Sequence, residues 1–300
     1  MRTVIIAILL LPLLAKEGVG GWSHEDDSIF KVRVQSIREI YPKAGENLIV
    51  EIGKLFLGTP YVGGTLDRDP SKEYLVVDLH EFDCVTFYET TLALYRASVL
   101  STYDGSKSSP PNAVEYSLEH ELQQLRYRHG DIAGYPSRLH YTTDYFYDAE
   151  KKGLLRNVTR TIGGAYVKNS GDKAIDFMST HRSLYKQLAS NDSNYAAIVR
   201  MEKAIRIRGP FSYIPKEHIE HIEQKIQSGD ILGITTNLPG LDCSHTGIAI
   251  RMSDGRIHFL HASSLAGKVI ISDEPLAEYL THSSHQTGII VMQSQSIGLD

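Results

Sequence analysis

From residue 45 onward, the order of apolar and polar positions divides the chain into a helical first part and a β-rich last quarter. In "AGENLIVEIGKLFLG", Leu48, Ile49, Ile52, Leu55 and Phe56 recur at helical spacing, and the pattern stops at Gly58 with Pro60 just beyond. The following "GTPYVGGTLDRDPSKEYLVVDLHEFD" is punctuated throughout by Gly, Pro and Asp. It predicts a long irregular loop with a short strand over 74–79. Structured loops of this length tend to be functional. Beyond it, Val85, Leu92, Tyr95 and Val99 fall on one helical stripe, Asp83 stands at the N-cap, and Thr86 and Glu89 lie in the first turns. Cys84 therefore opens a helix.

Residues 101–113 form a polar, Pro-interrupted linker, after which "VEYSLEHELQQLRYR" resumes helical period. Further helices are predicted over 141–152, 181–190, 194–206 and 215–227, with a strand at "RNVTRTI" between the first two. The period then changes. "GDILGIT", "HTGIAIRM", "RIHFLHA", "KVIISD" and "TGIIVMQ" are short β-rich runs separated by turn signals, and only "EPLAEYLTHSS" reads as a helix among them. Helices first and an antiparallel sheet later predict an α+β fold, without an internal repeat of fixed period.

Composition narrows the picture. With 300 residues, 42% hydrophobic and 22% charged, the chain can bury a substantial core. A net charge of -5 and the absence of a Lys/Arg cluster argue against a nucleic-acid partner. At the start, Arg2 precedes the apolar run "VIIAILLLPLLA" and then small and polar residues, the order of a signal peptide over 1–20 and too short a run for a membrane span. Residues 21–300 then form a single domain working in the periplasm or secreted, with no membrane contact once the leader is removed. With two cysteines in the chain, at most one disulfide is possible, so the fold rests on its apolar core.

A cysteine at a helix N-terminus meets unpaired N–H groups and the positive end of the helix dipole, both of which favour thiolate. Nucleophilic catalysis by such a group needs a histidine base and a third polar group to orient it. His245 begins the apolar strand "HTGIAI", and His261 ends the next strand sixteen residues later, so a hairpin brings the two side by side.

Together these blocks resemble the NlpC-type cell-wall cysteine peptidases, a papain-like superfamily acting on bacterial peptidoglycan. The matching stretches are "LGTPYVGG" at a helix end, "FDC" opening the next helix, "GDIL", "SHTGIAI" and "IHFLHAS", within residues 45–100 and 225–292. The resemblance implies a Cys-bearing helix packed on an antiparallel sheet, Cys84 as nucleophile, His245 as base, His261 as orienting residue, Tyr61 near the thiolate, and no metal or other cofactor. Val85-Thr86 replaces the usual Ser-Gly after the nucleophile, and the 161 residues between Cys84 and His245 exceed what a minimal member needs. In both respects the chain is similar to the N-acetylmuramoyl-L-alanine amidase-like branch, with a mainly helical insertion at about 101–215.

The insertion carries "SRLHYTTDYFYDAEKKGLLRNVT", where tyrosines at 141, 145 and 147, with Tyr135 upstream, offer flat surfaces to a sugar ring, and Arg138 offers a fork to a carboxylate. Arg138, His140, Tyr141, Asp144 and Thr86 are the expected substrate contacts. The expected reaction is hydrolysis of the amide between N-acetylmuramic acid and L-alanine in peptidoglycan or its muropeptides, through an acyl-enzyme. Three rivals stand beside it: a D-glutamyl to diamino-acid endopeptidase of the same fold, a zinc amidase using His218-x-x-His221 or His258-x-x-His261, and a noncatalytic wall-binding protein. Cys243 is expected to be a free, partly buried thiol. Oligomeric state is not encoded in any recognisable pattern.

Overall fold

The computed structural model describes residues 23–69, 71–103 and 113–295; the leader read over 1–20 and most of the 101–113 linker lie outside them. The chain enters through helix α1 (His24–Ala44), which the apolar pattern from residue 45 onward does not include. A reciprocal cap starts it. The Ser23 hydroxyl accepts from the Asp26 N–H at 3.0 Å, and the Asp26 carboxylate accepts from the Ser23 N–H at 3.1 Å. Asp26 also accepts from the Leu79 N–H and lies 3.1 Å from the His80 ring, which ties α1 to the long loop.

Helix α2 (Leu48–Lys54) follows, shorter than its apolar pattern suggested, and the loop from 58 to 83 forms no strand over 74–79. Helix α3 (Cys84–Tyr103) is apolar around most of its circumference, with Phe87, Leu92, Leu94 and Ala97 fully buried. A helix of that kind must be covered on several sides. Here α2, α4 (Ala113–Arg126) and the sheet cover it. Each large apolar side chain buried this way contributes roughly 1.5–3 kcal/mol. Among the described residues, no helix is long and apolar enough to cross a membrane.

Among the described residues, eight antiparallel strands make one sheet: β1 (Leu155–Asn157), β2 (Lys168–Asn169), β3 (Ser212–Pro215), β4 (Ile231–Thr236), β5 (Cys243–Arg251), β6 (Ile257–Ser263), β7 (Lys268–Ile271) and β8 (Gln286–Ser294). Their order is β2-β3-β8-β4-β5-β6-β7, with β1 also paired to β8. Strand alternation sorts the side chains into two cores. Ile231, Ile248, Ile250, Leu260, Ile290 and Met292 face α3, whereas Leu232, Ile234, Ala249, Phe259, Ile289 and Val291 face the short helices around Ile219 and Leu276. The protein is thus an α+β fold with a sheet covered on both sides.

Among its described residues the insertion is mainly helical, and it also supplies the short strands β1, β2 and β3 to the sheet. The "RNVTRTI" run splits into the end of β1 and a short helix, Thr159–Gly163. Helix α5 (Thr142–Lys151) and a longer helix, Asp192–Ile207, agree with their periodicity. The segments 181–190 and 215–227 instead break into single turns. A third core, including Tyr141, Met178, Leu188, Ile198 and Ile205, holds the insertion together.

Candidate active site

Asp83 fixes where α3 begins. Its carboxylate accepts from the N–H groups of Val85 and Thr86 at 3.0 and 2.8 Å, and the Thr86 hydroxyl accepts from the Asp83 N–H at 2.9 Å. Cys84 is consequently the first residue of the helix. Its carbonyl accepts from the Thr246 hydroxyl at 2.9 Å, which joins the helix N-terminus to β5 immediately after His245.

His245 and His261 project from the same face of the sheet, with His245 Nε2 2.6 Å from His261 Nδ1 and the rings nearly perpendicular at 85°. Phe259 forms the floor: it stacks on His261 at 4.5 Å and meets His245 edge-on at 5.5 Å. Gly247 makes this arrangement possible, since a Cβ there would come within 2.7 Å of both the Phe259 ring and the Leu260 carbonyl. With the hydrogen on His245 Nε2 donated to His261, the Nδ1 lone pair of His245 is free to take a proton. The same tautomer places the His261 hydrogen on Nε2, which is buried and has no partner. An unsatisfied polar group of that kind costs about 1–3 kcal/mol.

All three groups are neutral at rest. Burial lowers His245 to about 4, and burial together with the neighbouring His245 lowers His261 to about 3. Burial and the Asp83 charge push the Cys84 thiol up to about 12, against the hydrogen bonds from Thr246 and the helix N-terminus that favour thiolate. Desolvation therefore outweighs the helix-terminus effect expected from sequence.

These values carry a pH prediction. A base with its pKa lowered to about 4 remains neutral as pH falls below 6.5, so kcat/KM for fragment hydrolysis is expected to stay flat between pH 5 and 8 and to fall through about 4. An acid limb at 6.5 would show that His245 is hydrated. The stability linkage has the same sense as that of a salt-bridged carboxylate, because the folded-state pKa lies below the unfolded one. The unfolded chain binds a proton at His245 that the folded chain refuses between pH 6.5 and about 4, so this residue contributes a loss of stability as pH falls through that window.

Tyr61 lies by the site. Its N–H bonds the Gly267 carbonyl, its backbone bridges to Phe82, and burial and the Cys84 and Asp83 charges raise its hydroxyl. Sequence reasoning missed Tyr279, which packs against the His261 ring at 5.4 Å. Burial and the Cys84 charge raise its hydroxyl to about 12. It comes from "EPLAEYLTHSS", whose helical period signals an element but not where that element lands. Thr246 was likewise missed.

The expected substrate contacts are placed differently, because each already has internal partners. Thr86, 2% exposed, belongs to the α3 cap. Arg138 is buried, pairs with Asp67, donates to the Leu66 carbonyl and lies over the Tyr135 ring. His140 lies 2.9 Å from the Tyr135 carbonyl. The Tyr141 hydroxyl donates to Glu202 at 2.8 Å and accepts from the Met178 N–H at 2.9 Å. Asp144, 1% exposed, is held by Arg128 and Arg208, each at 2.5 Å. Arg138, His140, Tyr141 and Asp144 thus help to hold the insertion together.

Neither histidine pair read as a zinc motif gathers a third ligand-type residue among the described residues. His258 and His261 are three apart on one strand and face opposite sides of the sheet, His258 toward Ser272 and Asp254. His218 and His221 pack on Tyr166. Both cysteines are free thiols, and Cys243 is buried, more completely than expected. Among the described residues, Asp26, Asp78 and His80 bring ligand-type atoms within 4.8 Å. All four carboxylate oxygens there already accept hydrogen bonds from Ser23, Leu79, His80, Glu81 or Arg68.

Residues 51–289 match the family model described as AmiA-like, N-acetylmuramoyl-L-alanine amidase-like. The chain belongs to this family. An AmiA-like relationship is also visible in solved structures. An N-acetylmuramoyl-L-alanine amidase from Bacteroides uniformis ATCC 8492 is 34% identical over 83% of this chain and 99% of its own, with a TM-score of 0.71. A Bacteroides fragilis protein described as a xylanase is 38% identical over 80% of this chain and 98% of its own, with a TM-score of 0.70. A Legionella pneumophila protein of family DUF1460, 22% identical over 90% of this chain and 97% of its own, shares the fold at a TM-score of 0.62. No curated protein matches the chain.

Proposed function

We propose that the protein is a cysteine amidase with a papain-like, NlpC-type core that cleaves the bond between N-acetylmuramic acid and L-alanine in peptidoglycan fragments. The observation that carries this reading is the 2.6 Å contact between His245 Nε2 and His261 Nδ1, which leaves His245 Nδ1 as the free base at the strand joined to Cys84 through Thr246. The family and the Bacteroides uniformis amidase support the substrate class. Glycoside hydrolysis of the kind named for the Bacteroides fragilis protein ordinarily requires two carboxylates flanking the bond. Asp83, the carboxylate next to Cys84 in the chain, is taken up in capping α3.

In the first half-reaction, Cys84 Sγ attacks the lactyl carbonyl carbon while the thiol proton passes to His245. The tetrahedral intermediate then collapses, the C–N bond breaks, and the imidazolium protonates the departing alanine amine. Water, deprotonated by His245, attacks the thioester; the muramic acid leaves as a carboxylate and Cys84 recovers its proton. The Cys84 N–H and the Tyr61 hydroxyl are the donors for the oxyanion. A neutral thiol and a neutral imidazole at rest mean that the proton passes to His245 as Sγ attacks and not before. The apolar leader supports action in the periplasm or outside the cell.

The reading is tested by mass spectrometry on defined muropeptides. Release of an intact stem peptide beginning with L-alanine, with a transient acyl mass on Cys84, is the expected result. Cleavage after D-glutamate would instead assign an endopeptidase, and binding without turnover a noncatalytic protein. His261→Ala is expected to lower kcat by about 10²-fold. His261→Gln should lose less, because its carbonyl can still accept from His245 Nε2. Equal losses in the two variants would remove the orienting role.

A further inference from the structure

His261 is 1% exposed, and its Nε2 is buried without a hydrogen-bond partner among the described residues. The opposite nitrogen, Nδ1, is taken by His245 Nε2 at 2.6 Å. A buried polar atom left over in this way calls for an explanation. Its hydrogen also decides the chemistry. His245 offers a lone pair at Nδ1 only while His261 keeps its hydrogen on Nε2 and accepts through Nδ1. The reverse tautomer makes His245 Nδ1 a donor, which cannot take the thiol proton.

Among the described residues, three rings touch His261. His245 meets it at the Nδ1 edge, and Phe259 lies nearly parallel to it, at 4.5 Å and 19°, over one face. Tyr279 is the third, at 5.4 Å and 68°, an edge-to-face arrangement. With the Nδ1 edge and one face occupied, the crossing ring is the one available to cover the Nε2 edge.

Tyr279 is firmly held. It closes a short helix, Leu276–Tyr279, in which Leu276, like the following Leu280, is fully buried in the core that contains Phe259. The Tyr279 N–H donates to the Pro275 carbonyl at 2.9 Å, Lys216 Nζ donates to the Ser283 carbonyl at 3.0 Å, and the Tyr279 ring rests on Phe259 at 5.5 Å.

No carboxylate or cation among the described residues shifts either imidazole: burial alone lowers His245, and burial with His245 lowers His261. The titratable groups on the neighbouring elements are the Cys84 thiol and the Tyr61 and Tyr279 hydroxyls, all raised and neutral below pH 8, and the Asp83 charge bears on Cys84 and Tyr61. Access of water to the pair is therefore what governs its titration.

We propose that Tyr279 is a positioning residue: the face of its ring receives the His261 Nε2–H, keeps water from it, and holds both imidazoles in the tautomer that leaves His245 Nδ1 as the base. An aromatic face attracts an N–H and repels a lone pair, so it favours one tautomer, whereas water donates and accepts and favours neither. The role rests on the amidase reading, in which His245 is the base.

The test pairs nitrogen NMR of the histidine rings in the full chain with the pH dependence of muropeptide hydrolysis. His245 and His261 are assigned by the signals lost in His245→Gln and His261→Gln. In the unmodified protein both rings should carry their hydrogen on Nε2 throughout the neutral range. Tyr279→Ala should give mixed tautomers and raise the acid limb of kcat/KM from about 4 by at least about one unit, because hydration relieves the burial that lowers both rings. Tyr279→Asn, also smaller, should move both readouts the same way, and Tyr279→Phe, which keeps the ring, should restore them. Unchanged tautomers and acid limb in folded Tyr279→Ala or Tyr279→Asn, or a Tyr279→Phe protein that behaves like Tyr279→Ala, would overturn the proposal. If the tautomers change in Tyr279→Ala while the unmodified protein leaves muropeptides intact, the role of Tyr279 stands and the amidase reading falls. If muropeptides are cleaved and neither readout responds to Tyr279→Ala, the amidase reading stands and the role of Tyr279 falls.

Discussion

Cys84→Ala is expected to abolish muropeptide hydrolysis, a fall of about 10⁴-fold or more, while leaving the thermal transition where it is. The substitution removes the sulfur that forms the acyl-enzyme. It leaves the α3 cap intact, because Asp83 and Thr86 supply those hydrogen bonds, and it leaves the Thr246 bond to the Cys84 carbonyl, which is main chain. Cys84→Ser should be comparably inactive, since a hydroxyl beside a base lowered to about 4 is a far poorer nucleophile than a thiol. Hydrolysis of a defined muropeptide, followed beside a melting curve, checks both variants. Activity near that of the unmodified protein in either would end the cysteine mechanism.

The largest stability effect is expected one turn and a half further along α3. Glu89 and Arg126 form an ion pair at 2.9 Å with side chains 2% and 3% exposed, and Arg126 also donates to the Val76 carbonyl. Burial raises the Glu89 pKa and disfavours charge on Arg126, and their mutual attraction opposes both effects. Glu89→Gln leaves a buried guanidinium that cannot shed its proton, at a cost of about 3–5 kcal/mol. In a chain of this size that lowers Tm by roughly 10 °C. The double substitution Glu89→Leu, Arg126→Met should be milder than either single one, because it removes both charges together. Thermal unfolding of Glu89→Gln, Glu89→Leu, Arg126→Met and the double variant measures the difference, and a Glu89→Gln shift below a degree or two would mean that water reaches the pair.

What sequence could reveal follows from the range of each interaction. The α3 start was legible because Asp83, Cys84 and Thr86 act within one turn. The strands of the last quarter were legible because their apolar runs are local, and the meeting of His245 with His261 follows from a single hairpin. Helix α1 carries a comparably local cap at Ser23 and Asp26, a signal that was present and passed over. By contrast, the partners of Arg138, Tyr141 and Asp144 lie up to 71 residues away, at Asp67, Glu202 and Arg208. Nothing in the local pattern distinguishes a ligand-facing arginine from one already neutralised across the fold. Tyr279 reaches the histidine pair by the same long-range route.

Asp83 gives α3 its start and at the same time sets a negative charge beside the sulfur. Peroxides and disulfides react with thiolate far faster than with thiol. A cysteine kept protonated at rest is therefore shielded against such oxidants, and the second thiol, Cys243, is shielded by burial. Two unpaired cysteines can thus outlast exposure to oxidants, for a time set by how seldom the Cys84 thiol ionises.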